Sequence, residues 1–159
     1  MYIFYMRSVQ TLCIICKHPQ MLLGVKKRGF GVGRWNGFGG KIKEGEKIEE
    51  AARREVKEEI DINLLDIKRV GVLEFSWKSQ PNKIEVNVFK VNSFTGEPKE
   101  SEEMKPQWFD ISEIPYEKMW SDDKYWMPLF LAGKSFRGNF VFDDKDEIIE
   151  HSLKEVQEA

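Results

Sequence analysis

The alternation of apolar and polar residues predicts a chain built mainly of β-strands. Runs with strand character cover residues 9–16, 21–25, 70–77, 83–91, 107–110, 136–142 and 148–156. In the run 83–91, Ile84, Val86 and Val88 share one face while polar residues interrupt the other, which is typical of a half-buried strand. Turn residues separate these runs, so we expect several short strands that form a sheet.

Two segments predict helices. Residues 47–60 are an unbroken stretch of good helix formers. A second helix is expected over residues 122–132, with Ser121 as a candidate N-cap, Asp122 and Asp123 in the first turn and Gly133 at its end. Pro128 lies late in that segment, so the helix should be kinked or begin later. Strands and two helices without a long linker predict a single α+β domain spanning residues 1–159.

Composition and charge narrow the classes of function. The chain has 159 residues, of which 41% are hydrophobic and 33% charged, as in an ordinary globular domain. A formal net charge of −2 provides no broad basic field for duplex nucleic acid or an anionic membrane. The amino end lacks a continuous signal-peptide core, and no apolar stretch has the length of a membrane helix. We therefore expect a cytoplasmic protein. Separately, we expect a monomer.

The two cysteines, Cys13 and Cys16, have the C-x-x-C spacing of zinc and redox sites. Zinc would need a second ligand pair, whereas the only histidines are His18 and His151. A redox motif would normally open a helix, but TLCIIC has the character of a buried strand. We interpret the pair as part of a strand.

Glycine is concentrated just before the first helix. Seven glycines fall between Gly29 and Gly45, a density that indicates sharp turns or close backbone approach to a ligand. The P-loop pattern fails, because Gly40-Lys41 is followed by Ile42 where that motif needs Ser or Thr.

The first helix directs carboxylates toward the core. At about 100° per residue, Glu55 and Glu59 fall within the apolar arc, and Glu58 lies beside it. A solvated helix with i, i+4 ion pairs would explain the outward charges but not these two glutamates. Buried, unpaired carboxylates are costly, and a hard divalent cation such as Mg²⁺ would relieve that cost.

The same residues carry a family resemblance. Gly40, Glu46 and the segment REVKEEIDI at residues 54–62 resemble the Nudix hydrolase signature G-x5-E-x7-R-E-U-x-E-E-x-G-U, where U is aliphatic. Eight of its nine specified positions match. The exception is Asp61, which stands where the signature has glycine. Because Asp tolerates the left-handed conformation, we expect a small stability cost and no loss of chemistry.

Two further segments, KKRGFGVGRWNGFGGKIKEGE and MWSDDKYW, resemble the MutT-homologue branch of that family. The resemblance implies a mixed β-sheet sandwich flanked by helices. It also implies hydrolysis of oxidised purine nucleoside triphosphates, such as 8-oxo-dGTP and 2-hydroxy-dATP, to the monophosphate and pyrophosphate. The alternatives are a Nudix pyrophosphatase for ADP-ribose, a dinucleoside polyphosphate or capped RNA, and a catalytically silent nucleotide sensor.

The resemblance also implies a catalytic centre that uses Mg²⁺, or Mn²⁺ in its place. Glu55 and Glu59 are the first expected metal ligands, supported by Glu58, by the carbonyl of Gly39 and by Glu103 from outside the signature. Arg54 belongs to the same catalytic set and is expected to pair with Glu46, and the general base is expected among the three signature glutamates.

For the substrate, the resemblance implies base reading by Asn36, Asp122 and Asp123. Two adjacent carboxyls in an enclosed pocket favour retention of one proton, and moving that proton would let one pocket accept two oxidised bases. The other expected substrate contacts are stacking faces, pocket walls and a cation: Phe30, Phe75, Trp120, Trp126, Ile84, Thr11 and Lys26.

Overall fold

The computed structural model describes residues 7–159. The expectation that the amino end lacks a signal peptide therefore lies partly outside the described residues. The regular elements are β1 (Arg7–Lys17), β2 (Gln20–Lys26), β3 (Trp35–Asn36), α1 (Ile48–Ile60), β4 (Asn63–Trp77), β5 (Gln80–Thr95), β6 (Met104–Asp110), α2 (Asp123–Leu131), β7 (Ser135–Phe142) and β8 (Ile148–Val156).

The strands form one mixed sheet in the order β3-β2-β1-β5-β4-β7-β8, with β6 also paired to β2. The pairs β1–β5 and β4–β7 are parallel, and the other pairs are antiparallel. Each parallel pair joins strands distant in sequence, because parallel neighbours need a long crossover. The sheet thus brings together segments from the whole chain.

The two helices pack against opposite faces of the sheet. Within β1, Cys13 and Ile15 contact the cluster that contains Val56 and Ile60 of α1, whereas Ile14 joins the cluster that contains Trp126 of α2. This division follows from the alternation of side chains along a strand. The α+β prediction is confirmed, with a mixed sheet between helical layers.

The predicted helix at residues 47–60 is confirmed, and Asp61 after it has φ 59° in the left-handed region. The second helix begins one residue later than predicted and runs through Pro128. Ser121 is not its N-cap, because the Ser121 hydroxyl donates a hydrogen bond to the carbonyl of Asp146 instead. Pro128 removes only one helical hydrogen bond, that to the carbonyl of Lys124 in the first turn.

The strand interpretation of the cysteines is confirmed. Cys13 and Cys16 are free thiols in β1. Burial raises the pKa of Cys16 to about 11 and raises the pKa of Cys13 further, so both remain protonated and unreactive near neutral pH. Within residues 7–159, no helix is long and apolar enough to span a membrane.

Candidate active site

The glycine-rich loop before α1 lies directly against β1. The Thr11 N–H donates to the Gly40 carbonyl across 2.9 Å, and Cys13 and Phe38 exchange backbone hydrogen bonds of 2.6 and 3.0 Å. A Cβ atom at Gly39 would stand 1.9 Å from the carbonyl oxygen of Thr11. Glycine is required here because the loop and strand backbones approach too closely for a side chain.

The same loop supplies a hydrogen bond to the most buried glutamate of α1. The Gly39 N–H donates to Glu59 Oε1 across 2.9 Å. Glu59 is only 5% exposed, and this burial raises its pKa to about 8, with the neighbouring charge of Glu55 adding to the effect and the Gly39 hydrogen bond opposing it. The predicted inward direction of Glu59 is confirmed.

Arg54 organises the other signature carboxylates. Its Nε and Nη2 atoms lie 2.7 and 2.9 Å from the two oxygens of Glu46, and Nη1 lies 2.8 Å from Glu55 Oε1. Nη2 also donates to the carbonyl of Lys41 across 3.1 Å. The predicted Glu46–Arg54 pair is confirmed, and it lowers the pKa of Glu46 to about 2 through the side-chain hydrogen bond.

The predicted metal ligands are only partly assembled. Among residues 7–159, no three His, Cys, Asp or Glu side chains are arranged to hold a metal ion. Glu58 is 55% exposed at its side chain and faces Arg54 across 3.4 Å, while Glu103 faces Arg28 across 3.6 Å. Arginine side chains thus supply the nearest positive charge to two carboxylates expected at the metal.

The local chemistry nevertheless fits a divalent cation. Burial and the negative charges of Glu55 and Glu103 disfavour the ionised form of Glu59. A hard cation that takes oxygen ligands would favour the ionised form instead. The Gly39 backbone stands beside Glu59. These residues suit the ion, because Arg54 contacts Oε1 of Glu55 and Arg28 contacts Oε1 of Glu103, so each carboxylate keeps a second oxygen that can serve as a ligand.

A cavity of about 170 Å³ opens beside Glu59 between the glycine-rich loop, the sheet and α2. Eleven predicted residues line it: Thr11, Lys26, Phe30, Asn36, Gly39, Glu59, Phe75, Ile84, Trp120, Asp122 and Asp123. Asn36 uses its carbonyl oxygen to accept the N–H of Gly37 across 2.9 Å, which leaves its amide N–H₂ group to donate into the cavity.

Five predicted site residues do not line the cavity: Arg54, Glu55, Glu58, Glu103 and Trp126. The prediction of Trp126 as a stacking face is wrong, because Trp126 is fully buried and stacks on Phe136 at a centroid distance of 5.6 Å. Its role is indirect, since the Trp126 Nε1–H donates to Asp122 Oδ2 across 2.8 Å.

Asp122 and Asp123 are adjacent in the cavity lining and are 3% and 2% exposed. The Asp122 side chain makes no capping hydrogen bond to α2. Asp123 Oδ2 has no hydrogen-bond partner among residues 7–159. Burial raises the pKa of both carboxyls. For Asp123, the charge of Asp122 adds to burial, and the pKa lies well above the usual range. Both shifts favour retention of a proton by the pair.

Sequence reasoning missed three residues that shape the aromatic wall of the cavity. The Arg34 guanidinium stands 3.9 Å from the ring centroid of Trp120, a cation–π contact. Trp77 and Phe142 line the wall and stack at 5.5 Å. The sequence offered only weak signals for them: a basic residue in the glycine-rich loop and aromatics at the ends of two predicted strands.

Comparisons with known proteins match most of the chain. The Nudix domain matches residues 6–130. The chain is 47% identical to the oxidized purine nucleoside triphosphate hydrolase of Mus musculus, covering 92% of this chain and 94% of that protein. The same identity relates it to the Danio rerio protein of that name, over 93% and 95% of the two chains.

Among solved structures, a MutT protein from Bacillus halodurans superposes with a TM-score of 0.82 at 26% identity, covering 92% of this chain and 97% of that one. Nudix hydrolases generally use divalent metal ions. The signature residues on α1, the fold and the extent of these matches lead to one conclusion: the chain belongs to the Nudix hydrolase family.

Proposed function

We propose that this protein hydrolyses oxidised purine nucleoside triphosphates, such as 8-oxo-dGTP and 2-hydroxy-dATP, to the monophosphate and pyrophosphate, and so sanitises the nucleotide pool. The buried Asp122–Asp123 pair carries this proposal, because two adjacent carboxyls whose burial favours a retained proton line the same cavity as Glu59 and would suit the hydrogen-bonding edge of a purine base. The names of the two relatives at 47% identity support the same substrate class. We further propose a cytoplasmic monomer that acts on free nucleotides, with no duplex nucleic acid or membrane as partner.

In this proposal Glu55 and Glu59 would hold Mg²⁺, or Mn²⁺ in its place, with Glu58, Glu103 and the Gly39 carbonyl in support. The bound cation would neutralise charge on the triphosphate and lower the pKa of an attacking water. Phosphoryl transfer depends chiefly on positioning and charge neutralisation, which suits a site made of fixed carboxylates.

The chain's own residues orient the two ends of the substrate. Arg54 holds Glu55 in place through a 2.8 Å contact and thereby fixes one carboxylate beside the phosphates. Lys26 lines the cavity and, as a cation, would contact the triphosphate. A water activated near α1 would pass its proton to one of the glutamates, which acts as the general base.

The base end is read by hydrogen bonds and stacking. One carboxyl of the Asp122–Asp123 pair donates while the other accepts, and exchanging the proton between them reverses that pattern. Asn36 adds an N–H donor, and Trp120, Phe75 and Phe30 offer ring faces. Oxidation of a purine moves a hydrogen-bond donor or acceptor, so a site that reads polar groups discriminates oxidised from normal bases more sharply than one that reads size.

The proposal is tested by product analysis with Mg²⁺ on 8-oxo-dGTP, 2-hydroxy-dATP and unmodified dGTP. We expect pyrophosphate and monophosphate from the two oxidised substrates, little from dGTP, and none from the Glu59→Gln variant. Asp122→Asn and Asp123→Asn should each change the ratio of turnover between the two oxidised bases. Equal turnover of all three nucleotides would refute the substrate assignment. Turnover of ADP-ribose, dinucleoside polyphosphates or capped RNA alone would identify another pyrophosphatase, and binding without turnover would identify a sensor.

A further inference from the structure

The turn that joins β7 to β8 reaches the rim of the cavity through Asp146. The Trp77 Nε1–H donates to Asp146 Oδ1 across 3.1 Å, and the Ser121 hydroxyl donates to the Asp146 carbonyl across 3.3 Å. Trp77 lines the cavity, and Ser121 lies between Trp120 and Asp122, which line it as well. One residue thus ties together two distant segments of the cavity wall.

The backbone of this turn is held in a defined conformation. Asp146 has φ 60°, a left-handed value that few residues other than glycine adopt. Asp143 Oδ1 accepts the N–H groups of Lys145 and Glu147 at 2.8 and 3.0 Å, and the Asp143 N–H donates to the Glu147 carbonyl across 2.8 Å. The surrounding hydrogen bonds maintain the unusual φ and present both acceptors of Asp146 in a fixed direction.

A shared aromatic ring links the two segments that Asp146 holds. Phe142 stacks on Trp77 at 5.5 Å with an interplanar angle of 26° and meets Trp120 edge-on at 6.4 Å and 76°. Packed aromatic rings leave little free space, so displacement of Trp77 moves its neighbour. The orientation of both indoles therefore depends on the turn.

We propose that Asp146 is a positioning residue that fixes the Trp77 indole and the segment carrying Trp120 and Asp122, and thereby sets the selectivity for the purine base. Asp146 does not itself line the cavity and acts through Trp77 and Ser121. The identity of the substrate in this inference rests on the proposed function, but the link between the two tryptophans does not.

Two substitutions separate the side-chain contact from the backbone conformation. Asp146→Gly keeps the left-handed backbone conformation accessible but removes the side-chain acceptor for Trp77. Asp146→Asn keeps both the conformation and a side-chain oxygen that can accept from Trp77. Losing one hydrogen bond should raise the KM for 8-oxo-dGTP by roughly 3- to 10-fold in the glycine variant, with kcat within about 2-fold of the parent protein. Discrimination against dGTP should fall, and the asparagine variant should restore both values.

Asp144→Ala is the matched control in the same turn, because Asp144 accepts from the exposed Ser79 and lies outside the cavity lining. It should leave KM and selectivity unchanged. A merely structural role for Asp146 would instead lower kcat, or the active fraction, equally for every nucleotide. That pattern, or an unchanged KM in Asp146→Gly, would overturn the proposal.

Fluorine NMR of protein labelled with 5-fluorotryptophan tests the positioning without any nucleotide. Single Trp→Phe variants assign the signals of Trp77, Trp120 and Trp108. Asp146→Gly should shift the first two and spare Trp108, which packs in the other core cluster, and Asp146→Asn should restore both. An unmoved Trp120 signal would overturn the inference. If the parent protein cleaves no oxidised purine nucleotide, the proposed function fails while this measurement still decides the role of Asp146.

Discussion

The buried carboxyl of Asp123 predicts a pH-dependent stability cost that a single amide should remove. Asp123 is 2% exposed and its Oδ2 atom has no partner among the described residues. Burial first, and then the charge of Asp122, raise the pKa of Asp123. The change Asp123→Asn keeps the shape of the side chain and abolishes its titration.

The direction in which pH changes the free energy of unfolding follows from proton linkage. Unfolded aspartate titrates near pH 3.9, so above that pH the unfolded chain has released a proton that folded Asp123 retains. The free energy of unfolding therefore falls by about 1.4 kcal/mol per pH unit until the raised pKa is passed. The stabilising contribution of the Asp123 proton is complete below about pH 3.9. It is lost as the pH rises from that value through the raised pKa of folded Asp123.

The stability advantage of Asp123→Asn should therefore grow as the pH rises above about 3.9, by at most about 1.4 kcal/mol per pH unit while folded Asp123 keeps its proton. For a chain of this length that limit corresponds to roughly 3–6 °C in Tm per pH unit. Urea unfolding at three pH values, followed by circular dichroism, measures it directly.

Asp66→Asn is the control for this measurement, because Asp66 is exposed on β4. It should follow the pH dependence of the parent protein. If Asp123→Asn and the parent protein differ by a constant amount at every pH, Asp123 ionises normally in the fold and the proton-sharing pair does not exist.

Three other substitutions test the glycine-rich loop and α1. Gly39→Ala should lower the free energy of unfolding by about 1–3 kcal/mol, since its Cβ would lie 1.9 Å from the Thr11 carbonyl; a Tm equal to that of the parent would contradict this. Arg54→Lys should reduce kcat at least about 10-fold, because a lysine cannot make the forked contact to Glu46 and the contact to Glu55 at the same time; unchanged kinetics with saturating Mg²⁺ would assign Arg54 no organising role. Asp61→Gly should leave the Tm close to that of the parent protein, because easier left-handed geometry offsets the loss of two half-exposed ion pairs, and an inactive parent protein revived by this change would refute that view.

The α1 half of the site was predictable because its information is local. Helical periodicity alone places Glu59 within the apolar arc, and Glu59 is buried. The tolerance of Asp for left-handed geometry predicts the conformation of Asp61. In both cases residues within one or two helical turns determine the outcome, so the pattern of residue types is sufficient.

The other half depends on contacts between distant segments. Trp120 and Trp126 lie in one short sequence, yet Trp120 lines the cavity and Trp126 packs in the core. The two-residue strand β3 is defined only by its pairing with β2. Trp77 and Asp146 are 69 positions apart. Side-chain periodicity does not encode which distant partner completes such a contact.

The cavity joins two buried acidic groups whose environments differ. Glu59 receives the Gly39 N–H and lies within the field of Lys26, so its charged form needs only a cation to become favourable. Asp123 has no such donor on Oδ2, so its environment favours the proton. Under the proposed function, Glu59 would therefore meet a metal-bound phosphate and Asp123 a neutral, hydrogen-bonding base edge. Both arrangements cost stability in the free protein, and a nucleotide that satisfies both ends would recover that cost as binding energy.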